Sequence, residues 1–220
     1  MPFLADVRST IILAFKALPL LLISFIGFLA IGLGNISLFI LFLGHAIIVP
    51  IATEGLHGVV PTTGTLTTPN DISQLVPLIP TSGASYNHPT NSMPSYWMAH
   101  ISFFFGYILM NAISIYNLPP EKGAIEWMIT SRKTRATTII TTTVILWILF
   151  AWLRYSFTGT ENFGGIMLAM LGLGGLGVGW YYFAALCGAR NSDIFGIAQS
   201  MVSQGTGDKK PVTCVYSPKP

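Results

Sequence analysis

The sequence predicts an all-α membrane protein, a helical bundle of four to five transmembrane helices with one long Thr/Pro-rich extramembrane loop. Hydrophobic residues make up 52% of the chain and charged residues 9%, whereas a soluble domain carries about 25% charged residues. No lysine or arginine occurs between Lys16 and Lys122, and the basic residues cluster at the borders of apolar runs, as in membrane proteins of definite orientation. We expect a single membrane domain over residues 1–220, because each crossing uses about 20 residues.

The first apolar region covers residues 17–52. A single helix over this region would be about 54 Å long at roughly 1.5 Å per residue, against a hydrocarbon core of about 30 Å. The turn-prone patch Gly32-Leu-Gly-Asn35 predicts a break into 17–34 and 36–52. The region could cross the membrane twice, or once with its other half lying in the interface or re-entering.

Residues 53–94 form the predicted polar loop. They are dense in Thr, Pro, Ser, Gly and Asn, as in Pro61-Thr-Thr-Gly-Thr-Leu-Thr-Thr-Pro69, which argues against a long helix and favours turns or extended segments. The apolar patches at Ile72 and Leu75-Val-Pro-Leu-Ile79 indicate that part of the loop packs on something. A neighbouring protein and this protein's own helices fit equally well.

Three further spans are predicted at 96–118, 136–153 and 164–187, followed by a polar tail at 191–220. The first opens with Tyr96 and Trp97 at the interfacial position and stops at Pro119-Pro120. The second has a Thr-rich first half, whose hydroxyls can bond to helical carbonyls in lipid. The third begins Gly-rich and leaves through Trp180-Tyr-Tyr-Phe183.

The membrane-flanking basic residues predict the orientation. They include Arg132, Lys133, Arg135 and Arg190. With one crossing in 17–52, ten Lys and Arg lie on one side and Arg154 alone on the other; with two crossings the balance is eight against three. Both topologies place the central basic loop and the tail in the cytosol, opposite the 53–94 loop. Since orientation accounts for the net charge of +3, no nucleic acid partner is expected.

Polar residues on the 96–118 helix form one narrow face. The spacing places His100, Tyr107, Asn111 and Ser114 together at about 100° per residue, so this face is expected to point to protein. It could line a proton or ligand path, but helix-to-helix hydrogen bonds, worth about 0.6 kcal/mol on average, are the favoured interpretation. His45 and His100 could form a haem or metal site, yet isolated histidines are more often packing residues, and no cofactor is expected.

The last span carries candidate packing positions. Gly165 with Ala169, and Gly175 with Gly179, lie four residues apart and would let a neighbouring backbone approach. The match to G-x-G-x-x-G at residues 172–177 lacks the strand and βαβ unit of a dinucleotide site. The chain has no Gly-x-Ser-x-Gly, H-E-x-x-H or Walker motif, so it is not expected to be an enzyme, and no small-molecule substrate is identified.

Two blocks, Pro94-Ser-Tyr-Trp-Met-Ala-His-Ile-Ser-Phe-Phe-Phe-Gly106 and Trp180-Tyr-Tyr-Phe-Ala-Ala-Leu-Cys-Gly-Ala-Arg190, carry a resemblance. They resemble membrane proteins of large icosahedral double-stranded DNA viruses, such as algal viruses, over roughly the last two thirds of the chain. The resemblance implies a minor capsid component in the internal membrane of the virion. Its partners would be the lipid bilayer and other membrane or capsid proteins, and it supplies no catalytic residues.

Two function classes follow from the sequence. One is a structural subunit of a virion or another membrane complex, whose loops contact a partner layer. The other is a small channel or transporter subunit that uses the polar face of the 96–118 helix. The lack of Asp and Glu within the spans weakens the transporter class, because ion-coupled transporters commonly place acidic residues there.

Overall fold

A computed structural model of the chain describes residues 2–59, 94–120, 126–158, 163–188 and 194, and within these ranges it is an all-α helical bundle. The helices are α1 (Pro2–Gly32), α2 (Ile36–Leu43), α3 (Val49–Val59), α4 (Tyr96–Asn117), α5 (Glu126–Leu153), α6 (Phe163–Leu168) and α7 (Gly174–Leu186). Single π-helical turns at Gly44–Ile48 and Ala169–Leu173 join α2 to α3 and α6 to α7, and a third, Arg154–Thr158, follows α5. The predicted fold class is confirmed.

The patch between Gly32 and Asn35 forms the turn between α1 and α2. Gly34 has φ +59°, a left-handed conformation that glycine adopts without a Cβ penalty. The Asn35 side-chain oxygen accepts from the backbone N–H of Ser37 at 2.9 Å and of Leu38 at 3.3 Å, which satisfies two otherwise free donors at the start of α2. α1 and α2 therefore pack as an antiparallel pair, with Gly27 against the Phe42 ring.

Four helices in the described residues are long and apolar enough to cross a membrane. They are Ile36–His57, Tyr96–Asn117, Glu126–Ser156 and Phe163–Leu186. α1 contributes a shorter apolar stretch, Ala17–Gly32, which is about 24 Å long at 1.5 Å per residue. The protein is thus a helical membrane protein by the length and composition of its helices.

One end of the bundle, which we call the loop end, is where α3 finishes and α4 begins. There His57 Nε2 lies 2.8 Å from the carbonyl oxygen of Pro94. α1 reaches the same level, because the Trp97 indole donates to the carbonyl oxygen of Phe15 at 2.9 Å. The end of α5 is there too, with the Arg154 guanidinium 5.2 Å from the Trp97 ring centroid.

The opposite end, which we call the basic end, is where α4 finishes and α5 begins. Arg132 on α5 donates to the carbonyl oxygen of Leu118, the residue that ends α4. α6 and α7 return from the loop end, because Ile166 packs with Trp97 near the start of α4 while Tyr181 reaches the deeper Tyr107. The apolar helices Ala17–Gly32, Ile36–His57, Tyr96–Asn117, Glu126–Ser156 and Phe163–Leu186 therefore alternate in direction. This places the start of the apolar part of α1 at the loop end, as in the two-crossing topology.

Two predicted boundaries differ from the structure. α3 continues to Val59, so residues 53–59 are helical rather than loop; the buried Thr53 hydroxyl donates to the Val49 carbonyl at 2.7 Å, a bond that a helix accommodates. α5 begins at Glu126, so Arg132, Lys133 and Arg135 lie on a helix rather than in a loop. Hydropathy marks where lipid begins, and a helix can extend beyond that point. Residues 60–93, Arg190 and nearly all of the 191–220 tail lie outside the described residues.

α4 is the central helix of the bundle. Its residues contribute to both large clusters of buried apolar side chains, one with α1, α2, α3 and α7 and the other with α5 and α6. By contrast, the apolar window of α5 is only 17% buried, against 72% for α4. The outer helices thus offer apolar side chains such as Ile145, Ile148 and Trp152 to the lipid, while α4 is enclosed by protein.

Candidate functional site

The polar face of α4 points into the bundle. His100, Tyr107 and Asn111 are fully buried, and Ser114 is partly buried. Polar side chains at membrane depth are costly in lipid and therefore face protein or a cavity. The structure places all four along the axis of the enclosed helix, on one side of it.

His45 and His100 meet in this buried face. Their Nδ1 atoms lie 3.2 Å apart, and their rings stack with centroids 5.5 Å apart and 19° between planes. Both side chains are fully buried, and Phe103 covers His45 edge-on at 5.0 Å. The sequence named both residues, but the distance along the chain, 55 positions, carries no information on whether two helices bring them together.

The π-helical turn Gly44–Ile48 positions His45. Such a turn inserts one residue and shifts the rotation of the helix, and π-turns occur frequently at functional sites. Here it keeps Leu41, His45 and Val49 all buried on the side that faces the bundle. Gly44 is needed beside it, since a Cβ there would lie 2.6 Å from both the Phe103 ring and the Trp180 indole nitrogen.

The contact between the two imidazoles defines their chemistry. Burial disfavours a charged imidazolium, so both rings are neutral, and one Nδ1–H donates to the other Nδ1. The donor ring then has its lone pair at Nε2, and the acceptor ring has its N–H at Nε2. Within the described residues, neither Nε2 atom has a hydrogen-bond partner, although buried polar groups are nearly always paired.

The geometry does not fit the haem hypothesis. Nitrogens on opposite faces of one metal ion would be about 4 Å apart at metal–nitrogen bonds near 2.0–2.1 Å, and the two Nδ1 atoms are in direct contact at 3.2 Å. The described residues also contain no group of three His, Cys, Asp or Glu side chains that would complete a metal site. The pair therefore lacks the separation of two axial haem ligands, and the contact between its rings is a hydrogen bond.

A second polar cluster lies at the loop end. The Tyr96 hydroxyl donates to the Glu54 carboxylate, and the His57 ring packs edge-on against the Tyr96 ring at 5.7 Å. Together with the contact of His57 to Pro94, these bonds join the end of α3 to the start of α4. Sequence reasoning missed this cluster because it assigned Glu54 and His57 to a loop; three positions apart on a helix, they lie on one face.

The basic residues have different roles. Arg132 is buried and its bond to Leu118 satisfies a carbonyl at the end of α4, where a cation is also favoured by the helix dipole. Lys133 lies over the Tyr116 ring, 5.7 Å from its centroid, and Arg135 is exposed. Arg154 at the loop end is also buried, which its isolated position in the sequence did not indicate.

The glycines that allow close helix packing are not all the predicted ones. Gly165 and Ala169 are buried, but Gly175 and Gly179 are exposed, and a Cβ at either would meet no atom within 4 Å. Gly174 and Gly177 lie instead against α4, where a Cβ on Gly177 would approach the backbone of Phe103 and Tyr107 within 3.0 Å. Within the described chain the close contact with α4 is thus made by Gly174 and Gly177, which lie three residues apart, and Gly175 and Gly179 face away from it.

The chain has no match among protein-family models, curated proteins or solved structures. Its class therefore follows from its own fold: a helical membrane protein with a buried polar face on its central helix.

Proposed function

We propose that this protein is a structural multi-pass membrane subunit that holds a partner layer close to the membrane. The observation that carries the proposal is the pair of contacts at the loop end, Tyr96 to Glu54 and His57 to Pro94. They fasten the end of α3 to the start of α4, the two described segments that flank residues 60–93 in the sequence. A segment anchored at both ends by a rigid bundle is suited to docking.

The rest of the bundle supports a structural role. Trp180 donates to the carbonyl of Ile40 at 2.9 Å, and Trp147 donates to the Ser102 hydroxyl at 3.3 Å. These bonds, with those of Trp97 and the histidine pair, join α4 to α1, α2 and α5, and α7 to α2. In lipid such bonds and close packing stabilise helix association, so the polar side chains are used to hold helices in place.

The resemblance to membrane proteins of large icosahedral DNA viruses gives this proposal its particular form. The partner layer would then be the capsid, the membrane would be the internal membrane of the virion, and the protein would be a minor capsid component. The 60–93 segment, without a single lysine or arginine, would contact capsid proteins on one side of the membrane.

The test is cross-linking with mass spectrometry in the native membrane or particle. Replacing residues 60–93 with a Gly/Ser linker of equal length should remove the cross-links to the partner while the bundle still inserts. A Gly/Ser replacement of residues 199–212 in the tail should leave those cross-links in place. Unchanged cross-links after replacement of 60–93 would contradict the docking role. Absence of the protein from purified virions would rule out the proposal that it is a minor capsid component.

A second candidate function is a small channel or transporter subunit. The buried polar face of α4 favours it, because a helix that only packs does not need polar side chains along the whole of its length. Tyr96 and Ser114 are 18 positions apart, which is about 27 Å of helix and nearly the thickness of the hydrocarbon core. Ion flux in reconstituted vesicles that is lost in Asn111→Ala would support this function.

A further inference from the structure

We infer that the His45–His100 pair transfers protons across the middle of the bundle, so that the species moved by this protein is the proton. The inference rests on the second candidate function and names its substrate. Its basis is geometric: two neutral imidazoles share one N–H between their Nδ1 atoms at 3.2 Å. Each ring also keeps a buried Nε2 atom that has no partner among the described residues.

These atoms define a complete transfer step. A proton binds the Nε2 lone pair of the donor ring, the Nδ1 proton of that ring passes to the Nδ1 lone pair of the second ring, and the second ring releases its Nε2 proton. One proton enters and one leaves, and the pair is neutral before and after. The hydrogen bond between the rings is then reversed, so a second proton in the same direction requires both rings to return to their first tautomers.

Polar side chains extend from the pair toward both ends of the bundle. Tyr96, bonded to Glu54, lies one helical turn from His100 toward the loop end. Tyr107, Asn111 and Ser114 continue along the same face toward the basic end. Hydroxyl and amide groups can donate and accept hydrogen bonds, so they can lead protons to and from the rings without a wide water-filled pore.

The charged groups around the pair are few. In the described part of the chain, the titratable side chains on the helices packed against it are Glu54 and His57 on α3, Tyr96, Tyr107 and Tyr116 on α4, and Tyr181 and Tyr182 on α7. The apolar stretch Ala17–Gly32 of α1 and the whole of α2 carry none. The cations of the described helices lie on α1 before Ala17 and on α5 with the turn that follows it. The one at the loop end near the pair is Arg154, 5.2 Å from the Trp97 ring centroid, and Glu54, at the same end, attracts a proton.

Proteoliposomes with a pH difference across the membrane and a trapped pH-sensitive dye test the inference. We expect the wild-type protein to carry protons but not K⁺, and His45→Gln and His100→Gln each to reduce the flux to that of protein-free vesicles. His88→Gln, a histidine outside the pair, is the matched control and should retain the flux. Flux that persists in either pair variant, or K⁺ carried together with protons, would overturn the relay.

If a glutamine variant fails to fold, an NMR measurement on the wild-type protein tests whether the two imidazole rings share a hydrogen bond. With histidine labelled by ¹⁵N, the hydrogen bond should give a scalar coupling between two Nδ1 nuclei that is absent in His45→Gln and unaffected in His88→Gln. No coupling in the wild type would overturn the pair itself. A wild-type protein without proton flux would also overturn the inference, whereas the docking role is judged separately by the cross-links of residues 60–93.

Discussion

Alanine at Gly177 should destabilise the bundle, and alanine at Gly175, two residues away on the same helix, should not. Gly177 lies against α4, where an added Cβ would come within 3.0 Å of the backbone of Phe103 and Tyr107, and closer still to the Phe103 carbonyl oxygen. Backbone atoms cannot rotate away as a flexible side chain can. At Gly175 the same Cβ would enter open space.

The loss of stability in Gly177→Ala can be calculated from the distance by which α7 must move away from α4 to relieve the clash. Ordinary contact begins at 3.4 Å, so α7 must move away from α4 by roughly 1 Å, and a gap of 0.5–1 Å forfeits about a quarter to a half of each affected van der Waals contact. Overpacking of this kind costs about 1–3 kcal/mol. Replacing Gly by Ala also favours the helix by nearly 1 kcal/mol in water, but this gain is common to both variants. Their difference in unfolding free energy should therefore be about 1–3 kcal/mol.

The assay is unfolding of the purified protein in mixed lipid–detergent micelles by increasing amounts of SDS, followed by the fluorescence of its five tryptophans. Gly177→Ala should unfold at a lower SDS fraction than the wild type, and Gly175→Ala at the same or a higher fraction. If Gly177→Ala proved as stable as Gly175→Ala, the close approach of α7 to α4 would be refuted.

Four further outcomes are expected. Trp180→Phe loses the bond to the Ile40 carbonyl and should cost about 0.6 kcal/mol, with an upper value near 1.7, in the same SDS assay, whereas the exposed Trp152→Phe should not; equal effects would contradict this role. Tyr96→Phe releases Glu54 and should speed hydrogen exchange at residues 54–59, with the exposed Tyr155→Phe as control; unchanged exchange would count against the contact. Arg132→Met removes the donor to Leu118 and should speed exchange in the last turn of α4, whereas Arg135→Met should have no such effect. The last test compares single-cysteine proteins in a Cys214→Ser background: Cys187 alone, or Ala5→Cys or Ser85→Cys with Cys187 replaced by serine. A membrane-impermeant thiol reagent should label Cys187 from one side of the membrane and the other two cysteines from the opposite side. Labelling of Ala5→Cys from the same side as Cys187 would contradict the alternating helix directions.

The extent to which the fold follows from the sequence varies with the kind of signal. Apolar runs and the Gly32 to Asn35 patch indicate where helices cross and turn, because burial in lipid demands long uncharged segments with internally satisfied backbones. Helix ends at the membrane surface are less well marked. Residues 53–59 and 126–135 are polar, and polarity indicates that the chain has left the lipid without indicating whether the helix has ended.

The site is predicted less completely for a different reason. The helical periodicity of α4 predicts that His100 and Asn111 lie on one face, and this prediction requires the sequence of that one helix only. The partnership of His100 with His45 depends on how α2 and α4 pack and on a π-helical turn, and neither has a clear pattern in one sequence. The choice between Gly175 and Gly177 likewise depends on which side of α7 meets α4, and both lie in the same run of small residues.

The enclosed position of α4 bears on how the protein is made. As the chain leaves the ribosome, α4 reaches the membrane before α5 and α7 have been synthesised, so only α1, α2 and α3 are present to receive it. Its histidine and asparagine would face lipid at that moment, where polar side chains are disfavoured. We therefore expect α1, α2 and α3 to receive α4 first, because His45 and Glu54 bond to His100 and Tyr96 of α4, and the later helices to close around it. Substitutions at these residues should therefore lower the yield of inserted protein, even where the finished bundle tolerates them.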